Sequence, residues 1–582
     1  PEFQAREYGV KSKNVINKIL SLYTHKTEVV SRKGKETEAF DRFKKFYDAF
    51  EGKNRINTLT DQLLNILHTV NSKSLMWMNL TAALKNIGTG HINIVSEATG
   101  GEFTTKATLL KAHEMYIKAL PSLWASLGEY TCNNLDAALM KLAGNIFEDH
   151  IEAGVDTKTN IVSLGMSKWD NVMFAPNTIG EHYLQFATFL SAMQTHRIVA
   201  GTIMNYDQFV FSLRERLFRD MVDDETYTKY KAYKDKQESV KGNNVEFIDY
   251  LSRFIAYRAN NFTNEWKSNY AKAYKEGLKN ARVEFEKNQV IYDAFELKDG
   301  IASIKAESNI TLEDFAKFLG KVKGVNHSLH GIYNTFDKSM LSGKMWGEVI
   351  LQFRKWLRPN FIRYWGKRVG KIVFDERLES YRSGAYMDMI NFLLSNGKSA
   401  YRETIDKAIE NDEDIDFATK AKAIFNGFCG LLYWFKDINF RYNTLPQAQK
   451  ANIKRAMFNF TTLVGLSLVA ASLYAAKDDD DELDENRFFA LACYTIYGVQ
   501  TELYETSPWG LYSFYKRTME APIPFETSMS NVLNLVYWTL IAPMIVDDEE
   551  MLYDRGTYKD EDKRWIAFKK TIPLFNQYNK MF

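Results

Sequence analysis

A mainly α fold, a multi-lobed helical bundle with long helical hairpins and little or no sheet, is what this sequence predicts. Three observations carry the prediction. Prolines number only ten in 582 residues, and none falls between Pro176 and Pro359, so the commonest helix breaker is missing from a very long span. Apolar and aromatic residues recur at three- and four-residue spacings, the period of a helix face. The final third carries long uncharged runs, at 456–476, 488–501 and 527–546, of the length and composition of apolar helices. A chain this long exceeds one hydrophobic core. Four regions are expected: an N-terminal helical region (1–155), a charged amphipathic helical region (181–330), a basic-aromatic helical region (331–455) and an apolar helical C-terminal region (456–582).

Composition excludes several function classes. Lysine plus arginine at 75 against aspartate plus glutamate at 73 leaves a net charge of +2, so any anionic partner must be met by a local patch. Cys132, Cys429 and Cys493 are odd in number and far apart, which argues against a disulfide framework or a cysteine-rich metal site. The N-terminal segment PEFQAREYGVKSKN lacks the apolar core of a secretory signal.

Taken in order, residues 15–88 read as two or three helices. Phe40, Phe43, Phe46, Tyr47 and Phe50 form one core-packing stripe there. Residues 88–101, GTGHINIVSEATGG, read as a glycine-rich connection with a short strand in HINIV; they lack the lysine and serine or threonine ending of a phosphate loop. From 106 to 151 the helical period returns, interrupted at Pro121. His113 and Glu114 resemble the start of a zinc-protease helix, but Ile117 stands where the second histidine must be. Glu148, Asp149 and His150 read as a solvated helix end. Residues 154–180 are loop-rich and give the first candidate boundary.

Residues 181–222 are strongly helical, with Arg214, Arg216 and Arg219 on the wetter side of an amphipathic segment. In 226–242, Tyr227, Tyr230 and Tyr233 alternate with Lys229, Lys231, Lys234 and Lys236, and helical spacing with high charge continues over 245–299. Such helices belong to long hairpins or coiled-coil-like arms. A stacking platform for single-stranded nucleic acid is the competing reading, opposed by the interspersed acidic residues. Thr311, with Glu313 and Asp314 in the first turn, opens a helix over 312–320. His327 and His330 share a helix face, and without a cysteine or carboxylate at ligand spacing they read as ordinary polar residues.

The most one-sided charge cluster is 351–374, LQFRKWLRPNFIRYWGKRVGKIVF, with seven cations and no acid. Arg354, Lys355, Trp356, Arg358, Arg363, Trp365, Lys367, Arg368 and Lys371 are its candidate contacts to an anionic surface. Two partners suit it: a membrane, with rings at headgroup level, or a nucleic-acid backbone. The alternative is an amphipathic helix pair kinked at Pro359, its aromatics packed inward. Asp412, Glu413, Asp414 and Asp416 read as helix-start charge rather than a magnesium site, because a helix pattern follows them directly.

The 21 uncharged residues 456–476 follow Lys450, Lys454 and Arg455 and precede Lys477 and an acidic run. They are long enough to cross a bilayer, and inserted they would place their N-terminal side in the cytoplasm. A buried helix of a soluble bundle reads the same way. Residues 560–582 read as a docking tail. No nucleophile, dinucleotide fingerprint or metal cage is legible, so the chain is expected not to be an enzyme and to need no cofactor or metal.

Two stretches, MWGEVILQFRKWLRPNFIRYWG (345–366) and QTELYETSPWGLYSFYKRTMEAPIPF (500–525), carry a resemblance. They are similar to the recurring C-terminal pattern of large internal virion proteins of crAss-like and related tailed bacteriophages, through Glu502-Leu503, Ser507-Pro508 and Pro522-x-Pro524. Ser507 stands where that pattern has asparagine. The resemblance covers the C-terminal 250 residues or so and implies a cargo protein, packaged in the capsid or tail lumen and ejected into the host to assist genome delivery at the envelope. It implies other virion proteins (portal, tail or cargo), the host inner membrane and phage DNA as partners, and the host envelope or cytoplasm as its location after ejection. The alternative is a segment of a virion polyprotein that binds injected DNA or supports a virion RNA polymerase. A helical, disulfide-free chain suits passage through a tail, because it refolds without long-range strand pairing.

Overall fold

The computed structural model describes residues 80–125, 131–147, 167–241, 262–330, 357–366, 384–394, 417–432, 438–479, 487–510, 537–545 and 561–571, with a few short pieces between them. These residues are mainly helical, as the sequence predicts, with three small antiparallel sheets. The aromatic stripe at 40–50, the 148–150 cluster and Asp412 to Asp416 lie outside them.

Helix α1 spans Leu80–Gly100 and takes in the whole of the expected glycine-rich connection, so neither that loop nor its HINIV strand exists. Helix α2, Lys106–Ala125, runs through Pro121 without ending there. Helix α3, Leu135–Phe147, is capped by Asn134, whose Oδ1 accepts the amides of Asp136 (2.7 Å) and Ala137 (3.3 Å). Helix α4, Ser167–Thr195, is helical well inside the interval read as loop-rich, so no boundary lies between 167 and 180. Every residue from Leu184 to Gln194 is buried, which makes α4 the axis of the N-terminal body. The glycines misread as breaks serve its packing. A side chain at Gly90 on α1 would run into Leu184, and one at Gly180 on α4 would meet Ile87 Cγ1 at 2.5 Å. Both absences let the two helices approach closely.

Beyond α4 the chain turns into strands. Strands β1 (Arg197–Val199) and β2 (Thr202–Met204) form a hairpin, and β3 (Gln289–Val290) pairs with the other edge of β1. Strands β4 (Phe295–Lys298) and β5 (Ile301–Ile304) form a second hairpin. Both two-residue turns hold two consecutive residues at positive φ, Ala200 and Gly201 in one and Asp299 and Gly300 in the other, as a hairpin turn matched to strand twist requires. The helical spacing read over 245–299 is therefore wrong from Gln289 on. Strands β6 (Val373–Asp375) and β7 (Ser380–Arg382) make the third sheet.

Helices α5 (Leu213–Met221), α6 (Asp224–Lys241) and α7 (Asn264–Glu286) build a second core around Phe218, Tyr230, Phe254, Phe262 and Tyr270. Arg214, expected on the wetter side of α5, is buried. Helix α8, Leu312–His330, starts where Thr311 predicts. The Asp314 carboxylate accepts the Thr311 amide (3.0 Å) and hydroxyl (2.6 Å), while Thr311 Oγ1 accepts the Asp314 amide (3.2 Å). It continues past the expected end at 320 and packs against α4.

Helices α9 (Leu357–Trp365), α10 (Ala385–Leu393), α11 (Phe417–Leu432) and α12 (Ile438–Thr444) lead to the long α13 (Gln447–Asp479). Pro359 lies within α9, and the residues before Leu357, where the other helix of a kinked pair would run, lie outside the described residues. Tyr364, Trp365, Ala385, Tyr386 and Ala456 form a third core that joins α9 and α10 to α13. Helix α14, Arg487–Thr506, folds back along α13, and Gln500 Nε2 donates to Ser467 Oγ at 3.3 Å across the hairpin. Helix α15, Lys563–Thr571, lies in the expected tail.

Gly90→Ala is expected to destabilise the body by about 1–3 kcal/mol, because the added methyl overpacks against Leu184. Gly320→Ala, on α8 with open space around it, is expected to be neutral or to stabilise by up to about 1 kcal/mol. Denaturant midpoints of the two variants check the contrast.

Candidate functional site

Helix α13 is two helices in one, divided by what its faces touch. In its first half Asn452, Arg455, Ala456, Asn459 and Leu463 recur at three- and four-residue spacings and are all buried against the rest of the chain. Met457, Val464 and Leu468 recur seven and four residues apart on the opposite face and are exposed, Val464 at 59% and Leu468 at 64%. From Val464 to Leu473 no side chain is buried. Only 17% of the apolar stretch within Gln447–Leu473 is buried, whereas a core helix of the same composition is mostly enclosed. Helix α14 repeats the pattern, with Val499 and Leu503 buried and Tyr494 and Tyr497 each 60% exposed. Trp509, just beyond it, is also exposed. The distal halves of α13 and α14 pack on each other and turn uncharged outer faces to solvent.

What holds this hairpin to the body is polar. Arg455, 2% exposed, donates from Nη2 to Glu97 Oε1 (2.7 Å) on α1 and to Glu102 Oε2 (2.6 Å) just after it, and from Nη1 to Asn452 Oδ1 (2.7 Å). Asn452 in turn donates to Asp388 Oδ2 on α10 at 2.7 Å. Arg363 on α9 donates to Asn93 Oδ1 and Asn93 O, both at 3.2 Å, and its Nη2 lies 3.9 Å from Glu97 Oε2. Two guanidiniums and two carboxylates thus offset one another inside the protein, as buried charges must. Further along α1, Glu502 of α14 accepts from Thr89 Oγ1 (2.7 Å) and pairs with Lys85 (2.8 Å). Gly100 makes room for this arrangement, since a Cβ there would sit 2.7 Å from Arg455 Nε.

The candidate anionic-surface residues fare differently. Arg363 and Trp365 are not surface contacts: Arg363 is spent on Asn93 and Glu97, and Trp365, 1% exposed, donates from Nε1 to Thr506 O at 2.9 Å. The buried Glu97 carboxylate, distant in sequence, lies 3.9 Å from a cation whose charged sequence neighbours are all basic. Arg358 falls on the α9 backbone. Arg354, Lys355, Trp356, Lys367, Arg368 and Lys371 lie outside the described residues. The nucleic-acid platform over 226–242 loses its rings, because Tyr227, Tyr230 and Tyr233 pack into the second core. Lys229 and Lys234 pair with Glu225 and Glu215.

The histidines serve packing. The His113 Nδ1 and Tyr183 Oη atoms lie 2.9 Å apart, as do His182 Nδ1 and Tyr116 Oη, and His91 stands beside His113 with ring centroids 5.3 Å apart. Burial holds His182 down at about 4 and pushes Tyr116 up to about 12. His196 is lowered further, to about 3, by burial between Phe103 and Phe318. Among the described residues no group of three histidine, cysteine, aspartate or glutamate side chains is placed to hold a metal. Neither a protein-family model, nor a curated protein, nor a solved structure matches the chain.

Arg455→Met leaves Glu97 and Glu102 buried without their cation and is expected to cost about 3–5 kcal/mol. Adding Glu97→Gln and Glu102→Gln is expected to restore part of that loss, a non-additivity that a mutant cycle of denaturant midpoints measures. The contribution of His182 and His196 to stability is also expected to fall on acidification from pH 6.5. His182 and His196 stay neutral in the folded chain while the unfolded chain takes up protons, so their contribution is full above 6.5 and is lost as pH falls towards 4 and 3. His182→Gln should flatten the stability profile between pH 6.5 and 4.5.

Proposed function

We propose that this chain is a non-enzymatic virion cargo protein of a tailed bacteriophage, which docks on the host envelope through the α13–α14 hairpin after ejection. One observation carries the membrane part: a helix long and apolar enough to cross a bilayer keeps its distal face in solvent instead of in a core. Uncharged aliphatic side chains flanked by exposed tyrosines and a tryptophan are the composition of an interfacial anchor. The seven acidic residues within 478–485 begin at the end of α13, and carrying them across the hydrocarbon would be costly. The hairpin therefore lies in the interface plane with its acidic end in water, rather than spanning.

The phage part rests on the resemblance. Its two stretches meet in the fold, where Trp365 from the first donates to Thr506 in the second. Glu502 and Leu503 face the body, and Ser507 closes α14 by donating to Tyr504 O at 2.6 Å. Residues that carry the likeness thus hold the hairpin in place, and the likeness assigns no catalytic role.

Flotation with phosphatidylcholine–phosphatidylglycerol vesicles tests the reading. The intact chain is expected to float, and Val464→Asp with Leu468→Asp to stay at the bottom of the gradient with unchanged helix content. Failure of the intact chain to float, together with salt-sensitive binding to single-stranded DNA, would favour the polyprotein and polymerase-supporting alternative.

A further inference from the structure

The links between the hairpin and the N-terminal body differ in kind from those within the body. Around α4 the core is continuous and apolar, drawn from residues 94 to 329, and no side chain of α13 or α14 belongs to it. Across the seam with α1, Val499 packs on Gly88, and the remaining named contacts are ionic or hydrogen-bonded: Arg455 with Glu97 and Glu102, Glu502 with Lys85 and Thr89, Arg363 with Asn93. The buried stripe of α13 is itself polar at Asn452, Arg455 and Asn459, where a core helix carries aliphatic residues. Apolar surfaces yield gradually, whereas a buried ion cluster holds as a set and fails once a member is neutralised.

We infer that this polar seam is a release joint, from which the α13–α14 hairpin separates as a unit while the N-terminal body stays folded. Separation would free the face of the hairpin that α1 covers, with Val499 opposite Gly88, while Ala456 stays in the third core with α9 and α10. This adds to the apolar surface that the hairpin already exposes. The membrane reading supplies the use of this release, but the release itself does not depend on it. Sub-global opening of this sort follows the weakest interface of a fold.

Hydrogen exchange of the full chain carrying Glu97→Gln and Glu102→Gln tests the joint. These amides keep the shape of the carboxylates and remove their charge. Exchange is expected to rise at least tenfold in peptides from 447–479 and 487–506, while peptides from α4 keep their protection. A rise of equal size in both regions, or in neither, would overturn the joint. If the double variant fails to fold, Glu102→Gln alone and Arg455→Lys give graded versions of the same measurement. The variant should also bind the vesicles several-fold more tightly than the parent chain. Selective exchange without vesicle binding by either protein would keep the joint and sink the membrane reading; binding without selective exchange would do the reverse.

Discussion

Arg455 sits between Glu97 and Glu102 with almost no access to water, and the placement of the C-terminal third depends on that contact. A guanidinium so deeply enclosed is tolerated only where carboxylates meet its donors, so α13 can occupy one position on α1 and no neighbouring one. Gly100 keeps the space open, and Asn452 extends the network to Asp388 on α10. Through Arg363 the Glu97 carboxylate also bears on α9, which carries Trp365 to the end of α14. Four helices far apart in sequence thereby take their positions from one charge-balanced centre.

The exposure of the distal hairpin follows from the same geometry. With its first half turned so that Arg455 faces α1, helix α13 must present Met457, Val464 and Leu468 on the opposite side. Below Leu463 the body gives out, and the hairpin continues without it. Large exposed apolar patches mark interaction sites. The proposed docking at a bilayer interface would account for the uncharged length, the bordering aromatics and the acidic end together.

Much of the fold was legible. The three- and four-residue periodicity of α7, α8, α13 and α14, and the absence of prolines from 177 to 358, reflect helix physics that acts locally. The failures share a cause: the deciding partner lies elsewhere in the chain. Gly88 and Gly90 look like a loop until α14 and α4 are placed against them: a Cβ at Gly88 would meet Val499 and one at Gly90 would run into Leu184. The Asp-Gly turn of the second hairpin was visible, yet the helical spacing around it outweighed a two-residue signal. Arg363 looked like a surface cation because its neighbours are basic, while Asn93 and Glu97 were out of sight. Arg455 drew notice only as a flank of the apolar run. The one hint of its burial was its position one turn from Ala451 and Asn459, on the stripe that also holds Ala456.

The span between Glu97 and Arg455 also bears on how the protein is made. The two partners are separated by 358 residues, and Glu102 by 353. At a synthesis rate of ~5–20 residues per second, roughly 20–70 s separate the synthesis of Glu97 from that of its counter-charge. Throughout that interval Glu97 and Glu102 must stay hydrated, so the end of α1 remains open and the nascent chain is incomplete at one defined place. Translation therefore leaves a docking position empty until the last third of the chain arrives, and the hairpin is seated only after the N-terminal body has been made.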